Sequence, residues 1–401
     1  MQPPPPITAV PWPCIAAGCT GALASFIIVL ALDLTPTIAA PFMLLACGGP
    51  MWWLEYRRKF RASTPPRSSS NGSRRDRLIG AALVAAIHAA SIQLQLTFGG
   101  AQTASIGIAA LMLSCIAPAW LCWLLFSQAQ QDDSLARLPH LLNKALRGNR
   151  LSGADSQAVL GWCVKAFFLP LMLAWFYDWL DTLHTLGGSG WMGVFIWAMA
   201  ALYAIDTLFG TVGYLSTSRA IDAHIRSTDS TWLGWASALA CYPPLSLIVL
   251  RKWLDYSDGI EWTHWLSGSW LAALWAIAIL SLTGIYAYAT VVFGPRFSNL
   301  TNRGIITAGP FRWTKHPAYI SKNLSWWLIA VPFISDQGAS TAFLNCLALA
   351  GVNGIYWLRA KTEERHLMRD PIYWEYAEWI ARHGVWARTK GLFYIGQRKP
   401  N

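Results

Sequence analysis

The sequence is poor in charge and poorest in acid. Of its 401 residues only 13% are charged, and Asp and Glu number 20 against 31 Lys and Arg. A soluble domain carries about 25% charged residues, so the chain lacks the side chains needed to cover a water-facing surface. It lacks any Cys-x-x-Cys pair. The eight cysteines, at 14, 19, 47, 115, 122, 163, 241 and 346, stand singly in or beside apolar runs, where a thiol behaves as a small hydrophobe. This argues against a disulfide framework and a metal site. No compact basic domain carries the net charge of +11, which argues against nucleic acid as a partner. Met1-Gln2-Pro3-Pro4-Pro5-Pro6 has no basic region, so no cleaved signal peptide is expected. Neither a repeat of fixed period nor the inverted symmetry of many transporters is visible.

What the chain has is apolar length. Hydrophobic residues make up 54% of it, with 24 Trp and a mean hydropathy of +0.35. Several runs of roughly twenty apolar residues are long enough for a ~30 Å hydrocarbon core. Many of the indoles stand at the ends of such runs, as expected for the headgroup zone. The pattern predicts an all-α polytopic transmembrane bundle of about ten spans. They fall near residues 13–32, 37–56, 78–98, 103–126, 159–180, 191–215, 232–250, 270–293, 319–334 and 339–357, with a short amphipathic helix near 138–151. The segment from Arg57 to Arg77 holds eight basic residues against Asp76 alone. By the positive-inside rule it is cytoplasmic. The alternation of basic and non-basic loops then places both termini in the cytoplasm, with the loop after the seventh span as the one exception.

The chain divides into a membrane body, residues 1–293, and a C-terminal module, residues 294–401. The module opens on Gly309-Pro310-Phe311-Arg312-Trp313-Thr314-Lys315-His316-Pro317-Ala318-Tyr319. Pro310 and Pro317 remove backbone donors and fix φ, while Gly309 supplies freedom. Pro317 suits the first turn of a helix, whose N-terminus favours anions. Arg312, Lys315 and Lys322 can face anionic groups. On charge alone, contact with lipid phosphates explains them. Lys322 stands within a short span, where it either snorkels or meets a substrate headgroup.

One hairpin later comes Arg359-Ala360-Lys361-Thr362-Glu363-Glu364-Arg365-His366-Leu367. Carboxylates beside a membrane are costly unless paired or wet. Arg359 and Glu363 are one turn apart and can form an ion pair. Glu364 points away from that pair and is the better candidate to hold hydroxyl or amine groups of a ligand. His366 shares a face with Glu363, and His316 or His366 has the pKa range of a base. The tail after Arg359 is rich in Tyr and Trp, including Tyr373, Tyr376 and Trp386, which reads first as interfacial anchoring.

The stretch from Gly309 to Tyr319 resembles the G-P-[YF]-x-x-x-[RK]-H-P-x-Y signature of the isoprenylcysteine carboxyl methyltransferase and phospholipid methyltransferase superfamily. Thr362 to Leu367 resembles its E-E-x-x-L motif, and Tyr373 with Tyr376 its closing Y-x-x-Y. The resemblance covers about residues 296–376; the first eight spans match nothing recognisable. It implies S-adenosylmethionine as methyl donor, bound at the cytoplasmic face, and a lipid or isoprenoid-type acceptor entering from the bilayer. It implies that Gly309, Pro310, Lys315, His316, Pro317, Tyr319, Glu363 and Glu364 form the cofactor pocket. Arg359 would orient the acceptor or cofactor, with Glu364 beside it in the catalytic set. Lys315 stands where arginine is commoner, which loses a bidentate fork. The usual Phe-Gly before the tyrosine pair is absent, and Met368-Arg369-Asp370-Pro371-Ile372 is shorter than the family's segment.

Methyl transfer from a sulfonium chiefly needs alignment and exclusion of water. A carboxylate acceptor needs no base, whereas an amine must first lose its proton. No dedicated catalytic dyad is visible. Two other classes compete. An NADPH-dependent sterol-type reductase shares a similar [RK]-H-P-x-Y and the ten-span scale. A lipid-binding or transport protein could use His88, Gln93, Gln95, Lys165 and Asp206 in the membrane body.

Overall fold

The computed structural model describes residues 4–62, 73–126, 134–150, 152–186, 190–257, 261–266 and 268–387. The centre of the basic Arg57–Arg77 segment and the tail beyond 387 lie outside them. The chain forms α1 (Trp12–Ala31), α2 (Pro36–Ala62), α3 (Arg74–Phe98), α4 (Thr103–Phe126), α5 (Ser134–Leu146), α6 (Gly153–Thr185) and α7 (Gly190–Leu215). After β1 (Ser227–Thr228) come α8 (Trp232–Leu239), α9 (Leu245–Ile248), α10 (Trp262–Leu266) and α11 (Leu271–Val291). After β2 (Thr301–Asn302) come α12 (Pro317–Ala330), α13 (Ala339–Leu367) and α14 (Pro371–His383). Among the described residues, α1, α2, α3, α6, α7, α11 and α13 are long and apolar enough to cross a membrane. The two-residue strands pair antiparallel, Ser227 opposite Asn302.

Two helices differ instructively from the sequence pattern. The apolar run from Trp232 to Leu250 predicts one helix, and the structure corrects this. Helix α8 stops at Leu239, Pro243 and Pro244 follow, and α9 leads into a π-turn over Val249–Trp253. Adjacent prolines remove two backbone donors and crowd the preceding turn, so the run cannot continue as a helix. The amphipathic helix is present, shifted towards the N-terminus as α5. Its Leu135, Leu138 and Leu141 recur at helical spacing and bury against Val84 and Trp162 of α3 and α6.

The largest apolar core joins α1, α2, α6 and α7 to the C-terminal elements, from Ile15 and Met51 through Phe176 and Val212 to Tyr376 and Ile380. A layer of buried polar groups caps it where α2, α7 and α11 end. Arg303 donates to the carbonyls of Ala223, Gly213, Phe297 and Pro295 at 2.6–2.9 Å. Arg296, equally buried, reaches Asp222 (3.1 Å) and Glu55 (3.4 Å). The N-terminal segment braces this layer from outside. Ala9 N–H donates to Ile305 O (2.9 Å) and Thr307 Oγ1 to Pro6 O (2.6 Å). The layer fixes residues 294–308 as the base of the site described next.

Candidate active site

The stretch Gly309 to Tyr319 folds over the end of α11. Gly309 has φ of +57°, and a Cβ there would stand 2.8 Å from Cγ1 of Val292, so the position demands glycine. Pro310 opens a 3-10 turn over Gly309–Arg312. Pro317 is the first residue of α12, with His316 at its N-cap, where a missing N–H is harmless. Helix α14 clamps the loop from outside. The Tyr376 hydroxyl donates to Phe311 O (2.8 Å), and Val385 N–H donates to Trp313 O (2.9 Å) just beyond the helix. Asp370 caps α14 and also accepts from Asn302 Nδ2 (2.8 Å), tying the helix to β2. Burial raises the hydroxyl pKa of both Tyr373 and Tyr376 far above the ordinary tyrosine value, so both stay neutral.

The two motif stretches meet here. Lys315 Nζ donates to Glu364 Oε2 and His316 Nε2 to Glu364 Oε1, each at 3.0 Å. Lys361 Nζ approaches the same carboxylate at 3.3 Å. The Tyr319 hydroxyl donates to Glu363 Oε2 (2.8 Å), and the His316 and Tyr319 rings stack at 5.4 Å with 5° between their planes. Neighbouring helical residues point about 100° apart, so the two glutamates take different tasks. Glu364 gives both oxygens to the loop and holds it against α13. Glu363 faces inward.

It faces a cavity of about 110 Å³. Of the residues singled out by sequence, Lys315, His316, Pro317, Tyr319, Arg359 and Glu363 line it, as do Lys322 and His366. Gly309, Pro310 and Glu364 stand behind the wall and shape it. Arg359 is buried at 6% exposure and turns to Asn299 Oδ1 (2.6 Å) and the Tyr242 hydroxyl (3.4 Å) rather than to Glu363 one turn away. Its guanidinium lies over the rings of Tyr319 (5.0 Å) and Tyr242 (5.3 Å). Lys322 places its ammonium over the Tyr286 ring (4.8 Å). The Tyr286 and Thr290 hydroxyls in turn donate to the buried Asp206 carboxylate of α7. His366 sets Nε2 3.2 Å from Ser227 Oγ, while its buried Nδ1 has no hydrogen-bond partner among the described residues.

Sequence reasoning missed Tyr242, Tyr286 and Asn299, which also line the cavity. Tyr242 had a signal: Cys-Tyr-Pro-Pro interrupts an apolar run, and the helix break there frees the ring to enter the site. Asn299 sits in a short polar stretch just after an apolar span, but its contact with Arg359 joins residues sixty positions apart. The cavity thus offers two carboxylates (Asp229 and Glu363), three cations (Lys315, Lys322 and Arg359), the imidazoles of His316 and His366, and several tyrosine rings. It can hold a polar ligand at Glu363 and an anionic group at Arg359 and Lys322.

Residues 270–369 match the model of the isoprenylcysteine carboxyl methyltransferase (ICMT) family. The match runs from α11 to the end of α13, about a quarter of the chain, and includes both motif stretches. It begins upstream of position 293, and Asp229 and Tyr242, which also line the cavity, lie outside it. No curated protein and no solved structure matches the chain.

Proposed function

We propose that this chain is an integral-membrane, S-adenosylmethionine-dependent methyltransferase acting on a lipophilic acceptor. One observation carries the reading. Lys315 and His316 meet Glu364, and Tyr319 meets Glu363, beside one cavity, and all five residues lie inside the segment that matches a methyltransferase family. When bound, S-adenosylmethionine supplies an electrophilic methyl group on a sulfonium.

The residues present fit such a group. Glu363 offers a carboxylate to its cationic and hydroxyl-bearing parts. The ring faces of Tyr242, Tyr319 and Tyr356 already carry the Arg359 guanidinium at 5.0–6.0 Å, so the cationic part is left to Glu363. His366 Nδ1 is a buried polar atom with room for a ligand partner. On the acceptor side, Arg359 and Lys322 favour an anionic oxygen. A carboxylate is therefore the better acceptor, since a protonated amine would be repelled by both. Such an acceptor needs no base. What remains for Asn299 and Tyr242 is to hold the Arg359 guanidinium in place, so that the acceptor oxygen is aligned before reaction.

Binding of radiolabelled S-adenosylmethionine to the purified protein tests the proposal. Wild type binds, and Glu363→Gln and His366→Ala each weaken binding by about tenfold or more, the loss expected for one buried charged or polar partner. Stabilisation by NADPH and none by S-adenosylmethionine would transfer the site to reductase chemistry.

A further inference from the structure

We propose that the chain carries a second ligand site, remote from the first, for an anionic membrane lipid. The inference does not depend on the methyltransferase reading. A cavity of about 350 Å³ lies among α3, α4, α6 and the segment that follows α7, a size typical of ligand sites. Its deep part is apolar, walled by Ile92, Leu113 and Leu169. Small residues on facing helices, Ala81 and Ala110 among them, leave the space open. Ala85, Ala89, Ser114 and Ala117 line it and are themselves exposed on α3 and α4. Helix α4 is apolar over its length, and α3 is predominantly so beyond Arg77, so the opening faces the hydrocarbon rather than water.

The other end is basic. Lys165, Arg219, His88 and His224 line the cavity, and among the described residues no Asp or Glu does. Asp222 stands 3.8 Å from His224, but it is engaged by Arg296 (3.1 Å) and Arg226 (3.6 Å). The Lys165 ammonium lies 4.0 Å over the Trp162 ring, so the side chain reaches back one turn towards the start of α6. That is the end where Arg219 and His224 lie, and the end where Lys59 at the foot of α2 donates to Arg219 O. A basic pocket between spans at the polar boundary selects acidic headgroups. The apolar depth and lateral opening then take the acyl chain, which a free phosphate does not have. A zwitterionic lipid has the chain but presents no net charge to the cluster.

The site is separate from the active cavity. Tyr214 forms the partition. Its ring lines the lipid groove, while its hydroxyl accepts from the main-chain N–H (2.9 Å) and Nδ2 (3.0 Å) of Asn299 on the other side.

Native mass spectrometry of the full-length protein in neutral detergent tests this. Phosphatidylglycerol and phosphatidylcholine of identical chains are titrated in parallel, with inorganic phosphate alone as a third arm. Phosphatidylglycerol should be retained about tenfold more tightly than phosphatidylcholine, and phosphate alone should not be retained. The Lys165→Gln/Arg219→Gln double variant should lose the preference. Ala89→Phe, at an exposed position on the groove, should block retention without unfolding the protein, and Lys252→Gln, which does not line it, should change nothing. Equal retention of the two lipids, retention of phosphate alone, or a preference unaltered in both groove variants overturns the proposal. Methyl-donor binding is not read in this assay, so its outcome is independent of the first site.

Discussion

Arg303 uses every guanidinium donor on main-chain carbonyls and, among the described residues, meets no carboxylate. Burial, and after it the charge of Arg296, lowers its pKa to about 9, which still leaves it charged at neutral pH. Lysine has three donors in place of five and no planar fork, so Arg303→Lys leaves buried carbonyls unpaired at about 1–3 kcal/mol each. The expected result is a thermal midpoint lower by roughly 5 °C or more in a dye-based unfolding assay. Asp222 answers to pH. Burial disfavours its ionised form, but the Arg296 and Arg226 guanidiniums outweigh this and hold its carboxyl below the ordinary value. A depressed pKa contributes stability above the unfolded value of about 4, and that stability is lost as pH falls through the folded value. Asp222→Asn should therefore melt below wild type at pH 7, and the gap should close below about pH 4. A gap that stays constant to pH 3 would remove Asp222 as an acid-sensitive group.

At the scale of elements, the site depends on a loop held at both ends and on a helix pair of unequal length. Helix α12, with 14 residues, spans about 21 Å at 1.5 Å per residue, and α13, with 29 residues, about 43 Å. The surplus length of α13 carries Arg359 to His366 beyond its apolar part and brings the glutamates level with the start of α12. Gly309→Ala would force a Cβ into Val292 at a positive φ, which costs about 1–3 kcal/mol. Tyr376→Phe would leave the Phe311 carbonyl without its donor, at about 1–2 kcal/mol. Each should speed proteolytic cleavage within residues 309–316 while leaving cleavage elsewhere unchanged. Uniform acceleration along the chain would mean that the fold, not the loop, had been weakened.

For the whole molecule, the basic foot of α2 at Arg57, Arg58 and Lys59, the start of α6 and the candidate active site lie at one end of the bundle. The Lys59 contact to Arg219 O and the N-terminal brace on Ile305 and Thr307 join these parts directly. The turn before α13 lies at the opposite end, where His264 stands 3.5 Å from Asp336. Single cysteines placed in a cysteine-free background test this arrangement with a membrane-impermeant maleimide. Ser73→Cys and Arg312→Cys should label from the same side, the cytoplasmic one by the positive-inside rule, and Ser335→Cys from the other. Labelling of Ser73→Cys and Arg312→Cys from opposite sides would break the proposed topology.

Some of this was already present in the order of residues. Apolar length sets where helices can cross, so most boundaries follow the hydropathy pattern within a few residues. The prolines at 310 and 317 and the glycine at 309 act on their own backbone, so the loop was legible too. The paired motifs could be recognised because each is contiguous. Tertiary structure alone decided the rest. Which glutamate faces the cavity depends on the rotation of α13 against the loop. Arg359 passes over the neighbouring Glu363 for Asn299 and Tyr242 because these arrive from distant segments. The break that delivers Tyr242, and the empty space between alanine-rich helices that forms the second cavity, arise only when separate helices pack. Hydropathy is a property of each residue and adds up along the chain, whereas contact and void belong to pairs of surfaces that the sequence does not place together.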